Sequence, residues 1–141
     1  MRIRLICVGK VKEPFASQGC AMYLERLTRL QRIDVIEIPD SDPEEEGKKI
    51  LSKGDKMQIH AFSEEGLSMT SKQFADTLKA LDGDVAFVIG GPAGLSTDVK
   101  KAAKKVISLS GMTFTHEMAR LILLEQIYRG MTIIKGMPYH R

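Results

Sequence analysis

The sequence predicts an α/β fold, a mostly parallel sheet sandwiched by helices, and three observations carry that prediction. Short β-branched and apolar runs alternate with segments whose apolar residues recur at helical spacing, the order expected of a layered α/β domain. One run, Asp84 to Ile89 (DVAFVI), is continuously apolar after its first residue, as a strand covered on both faces requires. The turn Gly90-Gly91-Pro92-Ala93-Gly94 follows it directly, and open α/β sheets bind ligands beyond such strand ends.

Each element follows from local chemistry. Arg2 to Val8 alternates and then turns apolar, which predicts a first strand ending at Gly9. Pro14 opens a helix, where its missing N–H costs nothing. Phe15, Gly19, Met22, Tyr23, Arg26, Leu27 and Leu30 then give a mostly apolar face. Ile33 to Ile38 is a second strand closed by Pro39. Asp40 to Asp55 contains SDPEEEGKK and reads as an acidic exposed turn followed by a short helix. Lys56 to Phe62 is a third strand and Ser63 to Ser68 a glycine-containing loop. Ser71 caps a helix over Lys72 to Leu81, and Asp82-Gly83 turns the chain into Asp84 to Ile89. Ser96 caps a helix over Thr97 to Lys105, with Asp98 well placed in its first turn. Val106 to Leu109 is a fifth strand, and a last helix runs from about Thr115 to Ile134. There is no internal repeat, linker or low-complexity stretch, so residues 1–141 read as one domain. A chain of this length can bury a core without a metal or disulfide staple.

The net charge of +3 hides segregation. Residues 1–32 carry +5, residues 33–98 carry −8 and residues 99–141 carry +6. Basic ends of this kind favour a polyanion partner, although a charge run is also an ordinary solvated face. No apolar run approaches the ~20 residues of a membrane span, and the chain opens on a strand rather than an apolar signal region. Cys7 and Cys20 are too few for a disulfide framework, and Cys7 sits in a core-like run. These features read as a cytoplasmic protein.

Three strand ends attract chemistry: Phe62 to Gly66, Gly90 to Gly94, and Leu109 to His116. The glycines at 90, 91 and 94 fit neither G-x-G-x-x-G nor a P-loop. The turn is either a nucleotide cradle, with backbone N–H groups approaching a ligand, or an ordinary tight βα turn. The long, mildly apolar segment Ser108 to Glu117 reads as packed against something. His116 either faces a ligand or simply begins a helix capped by Thr115. The last helix is apolar around most of its circumference, which places it deep in the fold or at a subunit interface. At the terminus, Tyr139, His140 and Arg141 combine a ring that stacks on bases, a proton relay and a phosphate binder. The three His and two Cys show no metal-ligand spacing, and the paired carboxylates at 40–46 read as a solvated face.

Taken together and in order, the blocks RIRLICVGK, YLERL, IEIPD, SEEG, TSKQFA, FVIGGPAGLS, SLSGMTFTHEMARLILLEQIYR and a C-terminal PYHR resemble the RlmH (YbeA-like) family of SPOUT-class RNA methyltransferases. That family methylates N3 of a pseudouridine in large-subunit ribosomal RNA. The resemblance implies a C-terminal trefoil knot, which no periodicity could predict, and S-adenosylmethionine as methyl donor. It implies that Phe62, Gly91, Ser110, Gly111, Met112, Thr113, Phe114 and Thr115 wrap the donor. It also implies a homodimer in which one subunit's tail completes the other's pocket. His140 then serves as base or stabiliser of the acceptor anion, Tyr139 orients it, and Arg141 or Arg129 holds phosphate. Lys100, Lys104, Arg129 and His116 are the candidate RNA contacts. No metal is implied. The departures are Thr115 where Pro is common, Ala93 where a larger or acidic residue is usual, and Phe62 for Leu. The chain is also short, by this comparison near residues 40–55. The remaining readings are a SPOUT enzyme for another RNA base, or a non-catalytic RNA- or nucleotide-binding module.

Overall fold

The computed structural model describes residues 1–141. Five strands form one sheet: β1 (Ile3–Val8), β2 (Ile33–Ile38), β3 (Gln58–Ser68), β4 (Val85–Ile89) and β5 (Lys105–Ser108). Their order is β2-β1-β4-β3-β5, and every pairing is parallel. The helices are α1 (Pro14–Thr28), α2 (Pro43–Lys53), α3 (Ser71–Lys79), α4 (Thr97–Ala102) and α5 (His116–Ile134).

Alternation along the strands divides the core in two. Ile3, Leu5, Cys7, Val85, Phe87 and Ile89 face Leu27, Phe74, Leu78, Leu123, Leu124 and Ile127, packing α1, α3 and α5 on one side. Ile6, Val8, Ala86 and Val88 face Ile50, Leu95 and Val99, packing α2 and α4 on the other. The predicted α/β sandwich is therefore present. Helix α5 lies between α1 and α3 against the sheet, which explains its broad apolar circumference from within one chain. Burial pushes the Cys7 thiol up to about 12, in keeping with a core residue rather than a nucleophile.

Several boundaries differ from the sequence reading. Ser63 to Ser68 is not a free loop but the end of β3, which slips register so that both Phe62 and Leu67 pair with Ile107. Gly66 makes this feasible, because a Cβ there would stand 2.7 Å from backbone atoms of Val106 and Ile107. Thr70, not Ser71, caps α3, in a reciprocal capping box with Gln73. Helix α4 stops at Ala102 rather than Lys105, because Lys105 already pairs with His60 in the sheet. Glu44 to Glu46 belong to the first turn of α2 behind the Asp42 cap, where carboxylates suit the helix dipole. The acidic stretch is thus mostly helix rather than exposed turn.

Candidate functional site

The carboxyl ends of β3, β4 and β5 open onto one cleft of about 710 Å³, well within the range of small-ligand sites. Its walls come from Phe62 to Glu65, Ile89 to Leu95, Leu109 to Thr115 without Gly111, and the first turn of α5 through His116 and Ala119; Lys100 stands at its edge. The three strand ends singled out by the sequence do converge.

The glycine turn is shaped by close approach. A Cβ on Gly90 would lie 2.9 Å from the Gly94 carbonyl carbon, and one on Gly91 would lie 3.0 Å from Val8 Cγ1. Gly94 holds φ +82, a conformation that side chains resist. Behind Gly91 stand the carboxylates of Asp40 and Glu46. Glu46 is only 2 % exposed and accepts the Ser41 N–H at 2.7 Å. Burial raises its carboxyl above the usual range, and Asp40 adds to the effect. The reading of residues 40–46 as a solvated face is corrected at this one residue, which supports the cradle.

The β5–α5 loop is held locally. Ser108 Oγ donates to the Ser110 carbonyl at 2.9 Å, and Met112 N–H donates to Ser110 Oγ at 3.0 Å. Its tip is not packed as expected: Met112 is 76 % exposed. Thr115 Oγ1 accepts the Met118 N–H at 3.2 Å, so threonine at this position caps α5. His116 begins the helix, as the capped-start reading expects, and also lines the cleft. Across the cleft mouth, Lys100 Nζ pairs with Glu65 at 2.6 Å, and the lysine and Ser63 hold the Glu65 carboxyl down at about 2.

One further turn into α5, Arg120 is 5 % exposed and donates to Glu37 at 2.7 Å and to the Gly9 carbonyl at 2.9 Å. Glu117 accepts both the Lys12 and the Glu13 N–H groups at 2.9 Å. These partners lie more than 80 residues away in sequence, so no local pattern could have flagged them.

The terminal residues form a separate cluster. Tyr139 stacks edge-on against Tyr128, with centroids 4.8 Å apart, and its hydroxyl meets Tyr23 Oη at 3.2 Å. Arg129 lies over the Tyr139 ring at 4.9 Å, bonds Glu125 at 2.9 Å and contacts His140 Nδ1 at 3.0 Å. Burial, aided by Tyr23, pushes the Tyr139 phenol up to about 12. Arg141 is exposed at the end. Of the expected donor residues, Phe62, Gly91, Ser110, Met112, Thr113, Phe114 and Thr115 line the cleft and Gly111 does not. Of the expected RNA contacts, Lys100 and His116 reach it, whereas Arg129 sits with the tail. Lys104 lies just before the amino end of β5, at the opposite end of the strands from the cleft, its N–H bonded to the Ile59 carbonyl.

The family model described as "Predicted SPOUT methyltransferase" matches residues 1–140. The chain belongs to the SPOUT methyltransferases. Relatives named ribosomal RNA large subunit methyltransferase H are 42% identical in Bacillus cytotoxicus and 43% identical in Alkaliphilus oremlandii, each match covering 100% of both chains. Those matches run over 159 positions, 18 more than this SPOUT chain has residues. Among solved structures, TrmJ from Z. mobilis ZM4 superposes with TM-score 0.58 at 15% identity, covering 99% of this chain and 72% of that one. A tRNA methyltransferase from Aquifex aeolicus gives 0.58 at 13%, covering 92% and 70%. These two show the shared fold. Membership also makes the chain an enzyme that transfers a methyl group.

Proposed function

We propose that this SPOUT chain methylates N3 of a pseudouridine in large-subunit ribosomal RNA, with S-adenosylmethionine as donor. The observation that carries the reading is the convergence of the Phe62, Gly91 and Ser110–Thr115 segments on one cleft, in a chain whose full-length relatives are named for ribosomal RNA methylation.

The residues present fit the donor. The glycine turn packs tightly against Val8, Gly94 and Leu95, and with no side chains at Gly90, Gly91 and Gly94 it presents bare backbone to the cleft that these residues line. Phe62, Ile89 and Leu109 give the cleft apolar surface for a flat ring, and Thr113 and Ser110 add polar groups. When bound, the sulfonium supplies an already activated methyl group. What the protein must add is orientation and a way to remove the acceptor's N–H proton.

The tail supports stabilisation of the anion left when that proton passes to solvent. An arginine can only donate, so its contact at 3.0 Å makes His140 Nδ1 an acceptor and leaves the ring proton on Nε2. Held that way, the imidazole offers a hydrogen bond to the anion formed as the acceptor loses its proton. Tyr139 is protonated at neutral pH and orients the group, and Arg141 is free for phosphate. Within one chain this cluster sits away from the cleft, so the reading includes a homodimer in which each tail serves the other subunit's cleft. It also includes a single domain over residues 1–141, the C-terminal trefoil knot of the family and a cytoplasmic site of action.

Three measurements test the proposal. Calorimetry should show S-adenosylmethionine binding, and nucleoside mass spectrometry of ribosomal RNA from a deletion strain should show one methylated pseudouridine missing. An unchanged modification profile refutes the substrate, and a different missing nucleoside names another base. Single-turnover methylation by His140→Ala at the wild-type rate at neutral pH refutes the role of the tail.

A further inference from the structure

We infer that the segment Gly9 to Glu13, carrying Lys10 and Lys12, is a phosphate-contact surface for the RNA strand, latched beside the cleft by the first turns of α5; this rests on the RNA methyltransferase reading above. The segment leaves the carboxyl end of β1, which is the sheet neighbour of β4, so it borders the glycine turn. Gly9 packs on the ring of His116, with its Cβ position 3.4 Å from Nε2, and His116 is itself a wall of the cleft.

The latch is unusually complete for so short a stretch. Helix α1 has no side-chain cap of its own. Glu117 instead reaches from α5 to the chain just before it, accepting two consecutive N–H groups, and this lowers its own carboxyl pKa. Arg120 fixes the Gly9 carbonyl while its charge is met by Glu37. The backbone is thus held at Gly9, Lys12 and Glu13, and the side chains of Lys10 and Lys12 are left exposed without an ion pair. Lys100, the other lysine at the cleft, is already paired with Glu65. The acids near this segment are Glu13, Glu37, Asp40 and Glu117, with Glu64 and Glu65 in the cleft wall; Glu117 is turned onto the backbone, Glu37 meets Arg120 and Glu65 meets Lys100. The unpaired positive charge that this segment presents beside the cleft is therefore Lys10 and Lys12, on a segment anchored at Gly9, Lys12 and Glu13.

The test measures binding of the full chain to ribosomal RNA from the deletion strain between 50 and 200 mM salt. Lys10→Ala/Lys12→Ala should weaken binding roughly tenfold and flatten the log–log salt slope by about 1.4 to 1.8, two phosphate contacts' worth. Lys53→Ala/Lys79→Ala removes the same charge from the C-terminal ends of α2 and α3, which lead into the amino ends of β3 and β4 away from the cleft, and should leave the slope unchanged. Glu117→Ala separates anchoring from simple charge. Removing a carboxylate should strengthen RNA binding if only the field matters, whereas loss of the latch should weaken it. Glu117→Gln keeps an acceptor and should restore it. Affinity for S-adenosylmethionine should stay within twofold in both lysine doubles. Equal slopes in all proteins, equal losses in both doubles, or tighter binding by Glu117→Ala overturns the inference. A wild type that binds the donor but no RNA overturns the functional reading and this inference together.

Discussion

His60 offers the sharpest test of the core. It is 1 % exposed, lies edge-on to Phe87 with centroids 5.7 Å apart, and neither ring nitrogen has a partner. Burial first, then Lys105 and Lys104, lower its pKa from 6.5 to about 4. The folded protein therefore refuses a proton that the unfolded chain accepts below 6.5. Stability from this residue is intact above pH 6.5 and falls as pH drops toward 4. The slope is about 1.4 kcal/mol per pH unit, for a total of about 3 kcal/mol. His60→Leu keeps apolar volume and removes the titration. Urea midpoints for both proteins at several pH values from 4 to 7.5 measure the difference directly. At neutral pH the variant should match or exceed wild type, because two unpartnered buried nitrogens disappear. Its advantage should grow steadily on acidification. Parallel stability curves across pH 6.5 to 4 would refute the reasoning, since other carboxylates titrate equally in both proteins.

Three other substitutions probe the cleft walls. Gly66→Ala forces a Cβ against the β5 backbone at 2.7 Å; it should cost about 2 kcal/mol or more and lower Tm by several degrees, with weaker donor binding by calorimetry. Thr115→Ala removes the cap on Met118 N–H and should cost about 1 kcal/mol in thermal unfolding. Glu65→Gln should change stability by no more than about 0.5 kcal/mol. Although Lys100 holds this carboxyl at about 2, both partners are well solvated, at 35% and 57% exposure. A Tm loss above a few degrees would contradict that view.

Much of the fold was legible because its signals are local. Val85 to Ile89 is buried at every position, and its continuous apolar run says so. Thr115 and Ser96 cap their helices where hydroxyl chemistry at a helix start predicts. The β3 extension was not legible, because Ser63 to Ser68 carries polar and glycine residues that read as loop. Its pairing depends on Gly66 meeting a strand some 40 residues later, a close approach invisible until both backbones are placed. Glu46 was misjudged for a related reason: charge density in PEEEGKK predicts solvent, but one of three consecutive glutamates must face inward on a helix packed against α4 and the sheet. Glu117 and Arg120 looked like ordinary helix polarity, and only the fold reveals that they hold the opposite end of the chain.

The position of α5 bears on how the site can be completed. The last cleft residue on the helix is Ala119, and the tail folds back to the level of Tyr128 and Arg129. Nine residues at ~1.5 Å each separate Ala119 from Tyr128, about 14 Å along a rigid rod. That rod is held between α1 and α3, with Leu123, Leu124 and Ile127 buried in its middle, so it cannot bend to bring its ends together. The tail is nevertheless ordered by an aromatic stack, a hydroxyl bond and an arginine fork. Terminal residues are usually frayed unless something is gained by fixing them. A preorganised imidazole and phenol with no cleft of their own make sense as groups offered to a cleft elsewhere. In the homodimer we propose, a second copy supplies one, and the same packing that makes the chain stable then leaves its own tail out of reach of its own cleft.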